Sequence, residues 1–183
     1  MFVISGPSGA GKGTVIALVK HKLGGVVTSV SATTRVPRPG EAEGREYHFL
    51  TREAFEGAVA AGAFLEWVEY SSDLYGTLRA EVDGKLARGE DVILEIELIG
   101  ARVVRKALPE AVAVFIAPPS MADLAQRLRG RGTETDEAIA HRLSIATMEV
   151  AAAGEFDHVV VNDDAERAAT EVAAIIEDRR KGS

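Results

Sequence analysis

Gly6-Pro7-Ser8-Gly9-Ala10-Gly11-Lys12-Gly13-Thr14 follows an apolar start, Met1 to Ile4, and a single serine, Ser5. An apolar strand, a glycine-rich turn, a lysine and a helix-competent run, in that order, form a phosphate-binding loop. Glycines let backbone N–H groups turn inward and cradle phosphate oxygens with no side chain in the way. The helix opening near Gly13 directs its positive end to the same place, and Lys12 adds a mobile cation. A nucleoside triphosphate is the expected ligand. In the usual pattern serine or threonine follows the lysine directly and its hydroxyl reaches magnesium. Here Gly13 intervenes and the hydroxyl comes one place later, at Thr14. Phosphate binding rests on backbone and lysine and is untouched. Magnesium is expected to be held mainly through phosphates and water, with Thr14 as the loop side chain available to it.

Working outward, apolar strands alternate with helical patterns. The strands are expected at Phe2–Ser5, Val26–Val30, Phe64–Glu69, Asp91–Ile96, Ala111–Ala117 and His158–Val161. Helical stripes run through Val15, Leu18 and Val19, through Met121, Leu124 and Leu128, through Ile139, Leu143, Ala146 and Val150, and through Ala168, Val172, Ile175 and Ile176. Such alternation predicts right-handed crossovers, an α/β fold and a mostly parallel sheet, with ligands beyond the carboxyl ends of its strands. Two segments interrupt it. Ser31 to Leu50 is polar and turn-rich, with Pro37, Pro39, Gly40 and Gly44, and Gly130 to Thr135 is short and flanked by arginines. Neither looks like core, and both are expected to close over ligands. The tail, Arg179 to Ser183, is expected to fray.

Composition limits the function classes. The 183 residues suit one domain with small insertions, and 46% hydrophobic with 27% charged residues is ordinary for a globular protein. With no cysteine, disulfides, thiol catalysis and cysteine metal sites are excluded. His21, His48, His141 and His158 are scattered, without metal-ligand spacing. No apolar run approaches the roughly 18 residues of a membrane span, and the short apolar start leads straight into the loop, so a cytoplasmic location is expected. A net charge of −7 argues against nucleic acid as partner. The arginines are bunched, with Arg35, Arg38 and Arg45 in one group and Arg127, Arg129, Arg131 and Arg142 in another, which suits small anionic ligands.

A second constellation reads Ser31-Ala32-Thr33-Thr34-Arg35-Val36-Pro37-Arg38-Pro39-Gly40-Glu41, then Gly44 and Tyr47. Two arginine forks stiffened by prolines match phosphate oxygens; the other reading is a solvated loop with incidental charge. Further on stands Phe64-Leu65-Glu66-Trp67-Val68-Glu69-Tyr70, followed by Leu74-Tyr75-Gly76-Thr77. A carboxylate such as Glu66 in a pocket accepts from guanine N1–H and its exocyclic amine, a donor pair that adenine lacks; the alternative is the exposed face of a strand. Trp67 is read as core.

Along about residues 1 to 178 the chain resembles the guanylate kinases. The blocks are Gly6–Thr14, Ser29–Glu41 with Gly44, Tyr47 and Phe49, Phe64–Trp67, Tyr75–Thr77, Leu94–Gly100, Gly130–Thr135 and Val161–Asp164. The resemblance implies a three-layer P-loop fold with a parallel core sheet (1–30 and 78–178), a small GMP-binding insertion (31–77) and a short lid (129–136). It implies guanine contacts from Ser31, Glu66 and Thr77, and GMP-phosphate contacts from Arg35, Arg38, Tyr47 and Tyr75, with Glu41 supporting the clamp. Glu95 and Glu97 end the strand beside the loop, where the family carries acidic residues near the nucleotides and magnesium. Asn162 is similar to the family's adenine contact, and Arg131 and Arg142 to the lid arginines that close on the phosphates. Glu97 stands where the family often has aspartate, and Ile99 where it usually has glutamine.

The implied reaction is transfer of the γ-phosphoryl group of ATP to GMP, or to dGMP, with magnesium as cofactor and Lys12, Arg35, Arg131 and Arg142 as catalytic residues. A monomer or homodimer acting on free nucleotides, with no membrane partner, is expected. Two competing readings are a catalytically silent interaction module, which would typically lack Lys12 or the lid arginines, and a related kinase with another acceptor such as AMP or a sugar phosphate.

Overall fold

The computed structural model describes residues 1–70, 72–130 and 135–182. In chain order the elements are β1 (Phe2–Ser5), α1 (Lys12–Lys22), β2 (Val26–Thr28), β3 (Ala32–Thr33), β4 (His48–Phe49), α2 (Arg52–Ala60), β5 (Phe64–Tyr70), β6 (Asp73–Leu78), α3 (Arg79–Leu86), β7 (Asp91–Glu95), α4 (Leu98–Ala107), β8 (Val112–Ala117), α5 (Met121–Arg129), α6 (Asp136–Ala151), a 3-10 turn (Ala153–Glu155), β9 (His158–Val161) and α7 (Ala165–Lys181).

Five strands form a parallel core sheet in the order β2-β7-β1-β8-β9. Because a parallel sheet is covered on both faces, its central strands read as unbroken apolar runs. Alternation along β1 sends Phe2 and Ile4 to one face, where they meet Val15, Ile16 and Val19 of α1 and Ala168, Val172 and Ile176 of α7. Val3 points to the other face and packs with Leu98, Ala101 and Val104 of α4 and with Phe115 and Phe156. The result is the expected three-layer α/β fold, with the loop after β1 at the carboxyl edge of the sheet.

The interrupting segment is structured. Ser31–Leu50 supplies β3 and β4, and Ala32 and Thr33 are fully buried. They belong to a second sheet of order β4-β3-β6-β5, in which β6 runs antiparallel to both neighbours. This insertion has its own small core of Ala32, Phe55, Phe64 and Leu74, with the Phe55 and Phe64 rings stacked 4.3 Å apart. Strands of two residues carry no hydrophobic period, so sequence alone reads them as loop.

Two further expectations are corrected. Trp67 is 45% exposed rather than core. A register irregularity between Phe64 and Glu66 buries Phe64, Leu65 and Glu66 in succession, and Trp67 is the first residue to face out. The tail does not fray at Arg179, because α7 runs to Lys181 and Arg180 donates to Asp91 (2.6 Å) and to the Gly24 carbonyl (2.7 Å). No helix among the described residues is long and apolar enough to cross a membrane.

Candidate functional site

The loop between β1 and α1 is set by backbone and buried contacts. Gly11 caps α1 with φ +89°, and a side chain there would collide with the Asn162 amide, so both conformation and space call for glycine. Asn162, buried at the end of β9, donates to the Ala10 carbonyl (2.6 Å). Arg127 of α5 donates to the carbonyls of Asn162 (2.8 Å) and Ala10 (3.4 Å). Lys12 is buried and folds back over the loop, donating to the carbonyls of Gly6 (2.5 Å) and Pro7 (3.4 Å). Arg142 on α6 reaches the Ser8 hydroxyl at 2.9 Å. Thr14 lies exposed in the first turn of α1.

Carboxylates line the adjoining edge. Glu95 ends β7 and lies over the first turn of α1, since a Cβ on Gly13 would sit 3.9 Å from one of its oxygens. Burial pushes the Glu95 carboxyl up, Lys12 opposes the shift, and Glu97 adds to it. Glu95 also acts electrostatically on Tyr47 of the insertion. Glu97 caps α4. Glu149 is 6% exposed on α6, and its carboxyl is pushed up to about 7, first by burial and then by the neighbouring charge of Glu97.

The insertion holds the second group. Arg35 donates through Nη2 to both oxygens of Glu41 (2.9 and 3.0 Å) and through Nη1 to the Val36 carbonyl (2.8 Å). Glu41 also accepts from the Arg38 backbone N–H (2.7 Å); Arg35 first and Arg38 second hold its carboxyl below the usual range. The Arg35 guanidinium lies 5.4 Å from the centre of the Tyr47 ring, and Tyr47 meets Tyr75 edge-on at 6.0 Å. The Arg38 side chain is exposed beyond this cluster.

Across the same sheet Glu66 pairs in register with Thr77, whose hydroxyl donates to it at 2.7 Å. Glu66 is 4% exposed, and burial raises its carboxyl despite that bond. Gly100 of α4 leaves it room, because a Cβ there would lie 2.9 Å from Glu66 Oε2. Ser31 enters β3 half-buried, its carbonyl accepting from His48 N–H at 2.8 Å. Ile99 is 63% exposed on α4.

The structure thus gathers the loop with Arg142 and Asn162, Arg35 with Glu41, Tyr47 and Tyr75, and Glu66 with Thr77. Arg131 lies outside the described residues. Two residues escape the sequence reading. Arg127 was visible only as one of a cluster of arginines. Glu149 sits one place before Val150, assigned above to the inner stripe of α6. The buried positions are Ile139, Ala146 and Glu149, and the spacing 139, 142, 146, 149 is itself helical.

A family model described as guanylate kinase matches residues 1–179. A guanylate kinase of Rubrobacter xylanophilus is 52% identical over 176 residues, covering 96% of this chain and 92% of the relative. One from Frankia casuarinae is 52% identical over 174 residues, covering 95% of each. The crystal structure of guanylate kinase from Anaplasma phagocytophilum superposes with a TM-score of 0.77 at 31% identity, over 98% of this chain and 85% of that one.

Proposed function

The chain belongs to the guanylate kinase family and catalyses ATP-dependent phosphorylation of GMP, and from that premise we propose how its residues divide the reaction. The loop Gly6–Thr14 holds the β- and γ-phosphates through backbone N–H groups, and Lys12 swings from the Gly6 and Pro7 carbonyls to meet them. Asn162 borders the adenine. On the acceptor side Glu66, Thr77 and Ser31 read guanine, while Arg35, Arg38, Tyr47 and Tyr75 hold the GMP phosphate, with Glu41 fixing Arg35. The observation that carries this reading is the buried Glu66–Thr77 pair on the small sheet whose β3–β4 connection carries the Arg35–Glu41 clamp.

A GMP phosphate oxygen attacks the γ-phosphorus, the bond from that phosphorus to the β-bridging oxygen breaks, and ADP leaves with the electron pair. The attacking oxygen is already anionic near neutral pH, so the chain supplies position and charge rather than a general base. Arg142, already on Ser8, and Arg131 neutralise charge on the transferring group. Among the described residues no group of three His, Asp or Glu side chains could hold a metal. An ion bound through phosphates and water fits this donor set, with the Thr14 hydroxyl available and Glu95 and Glu97 at the edge. Magnesium, held with ATP through phosphates and water, would supply charge neutralisation there. The setting is cytoplasmic, with ATP and GMP or dGMP as free small-molecule partners and the chain as monomer or homodimer.

A coupled ADP-release assay with ATP–magnesium against GMP, dGMP, AMP, CMP and UMP tests the reading. GMP should be turned over far faster than AMP; equal rates would remove the role given to Glu66. Arg38→Ala should raise the KM for GMP by about one to two orders of magnitude, as expected for a lost charge-assisted fork, with ATP affinity little changed.

A further inference from the structure

The chain crosses twice between the core sheet and the insertion, out after β2 and back at the start of α3. On the way out, Ser29 N–H donates to the Ile93 carbonyl of β7 (3.0 Å) and still belongs to the core sheet. Ser31 already belongs to the insertion, since its carbonyl accepts from His48 N–H (2.8 Å). Val30 lies between them, and its N–H donates to a side chain, Glu81 Oε1, at 3.1 Å. Glu81 stands in the first turn of α3, four residues after Thr77. The same oxygen accepts from Lys85 Nζ one turn further on, and Lys85 also donates to the Thr28 carbonyl (2.9 Å). The Lys85 and Glu81 side chains are 17% and 21% exposed, so water competes less for these bonds than at an open surface. Together they tie the outgoing crossing to the returning one.

The position of this tie bears on the acceptor base. In the antiparallel ladder of β3 with β6, Thr33 pairs with Tyr75 and Ala32 with Gly76. One step further in that register sets Ser31 opposite Thr77, just past the last pair of the ladder. Thr77 is held there by its bond to Glu66. The contact beyond Ser31 is that of Val30 with Glu81. We propose that Glu81 is a positioning residue for guanine recognition: by holding the Val30 N–H, its carboxylate closes the open end of this ladder and sets Ser31 at its distance from the Thr77–Glu66 pair. This rests on the guanine role given to Ser31, Glu66 and Thr77 above. Glu81 acts through the backbone of Val30. An acidic residue in a first turn also favours the helix itself, but that effect bears on stability and not on the choice of base.

The test is a set of variants read by steady-state kinetics with ATP–magnesium against GMP and AMP. Glu81→Ala should raise the KM for GMP about five-fold or more and lower the preference for GMP over AMP, with kcat within about three-fold and the KM for ATP within about two-fold. Glu81→Gln keeps an acceptor oxygen at the same reach, so its KM for GMP should stay within about two-fold of the parent although the charge facing Lys85 is lost. Glu81→Asp keeps the charge but withdraws the oxygen by one methylene, and should resemble the alanine variant. Added to Ser31→Ala, the Glu81→Ala change should raise the KM for GMP by no more than about a further two-fold, because it acts through Ser31. A parental KM for GMP in Glu81→Ala, an effect that adds in full to that of Ser31→Ala, or a glutamine variant as impaired as the alanine one would overturn the proposal. Should the alanine variant not fold, the contrast between aspartate and glutamine decides. A parent with no preference for GMP over AMP, or a Ser31→Ala variant with parental KM, would instead fail the reading of the guanine site, so the two failures are distinct.

Discussion

The loop after β1 and the clamp on the insertion hold phosphate-binding groups by different means. At the loop, Lys12, Asn162 and Gly11 are positioned by buried hydrogen bonds and close packing, and Arg127 and Arg142 anchor it from α5 and α6. At the clamp, Arg35 is positioned by an ion pair to Glu41 and by the Tyr47 ring. Among the described residues, its sheet has a core of four buried apolar side chains. One half is shaped by backbone and core, the other by side chains on a thin scaffold. The loop is therefore held mainly by buried contacts, and the clamp rests on the thinner scaffold.

The largest effect expected from breaking this contrast is at Lys12. Lys12→Ala should lower kcat by about 10³-fold or more, because a cation poised for the transferring phosphate is lost from a preorganised site. The KM for GMP should stay near the parent value. A comparable rise in that KM would mean that the two halves are not separate. Next is Phe55→Ala, which removes a fully buried ring stacked on Phe64. Its expected cost is about 3–5 kcal/mol, confined to the insertion. Hydrogen exchange should show β3, β5 and β6 losing protection while β1, β7 and β8 keep theirs. Uniform loss across both sheets would make the molecule one cooperative unit.

How much of this was legible follows the same division. The loop is local: nine consecutive residues specify turn, cation and helix start, so it can be read directly. The core strands are long enough for their apolar runs to show, and the observed bounds lie within two residues of those expected. The insertion is non-local. Arg35 meets Tyr75 and Glu66 meets Thr77 only after β3, β5 and β6 assemble, and two-residue strands leave no period. The roles of that region came from resemblance rather than pattern. Trp67 was misplaced because a register irregularity cannot be seen in an alternating run, and Glu149 was missed because a carboxyl is not read as an inward residue.

A smaller effect sharpens the boundary between the halves. Gly100 belongs to α4, yet it makes room for Glu66 on the insertion. Gly100→Ala should press the new methyl on Glu66 Oε2 and displace the carboxylate from Thr77. Overpacking of this kind costs about 1–3 kcal/mol, read here as a raised KM for GMP and a narrowed preference over AMP, with the KM for ATP unchanged. A variant with parental GMP kinetics would show that the Glu66 carboxylate can shift without loss of recognition.

The smallest expected effect concerns pH, and it separates the halves by their carboxyls. Glu149 near the loop and Glu66 on the insertion both have raised carboxyls in the folded chain, chiefly through burial. A raised folded value means that the native state holds protons that the unfolded state has released, so stability is greatest below the unfolded value and falls as pH rises through the folded one. For Glu149 the window runs from its ordinary 4.5 to about 7. One such group gives a slope of at most about 1.4 kcal/mol per pH unit. Glu41 runs the other way, since its carboxyl is lowered, first by Arg35, and its contribution is lost only as pH falls below the ordinary carboxylate range. Melting of the parent protein should therefore drop between pH 5 and pH 7.5, and Glu149→Gln should flatten most of that drop. A glutamine variant with an unchanged drop would shift the pH sensitivity to the other raised carboxyls, Glu66 on the insertion and Glu95 beside the loop.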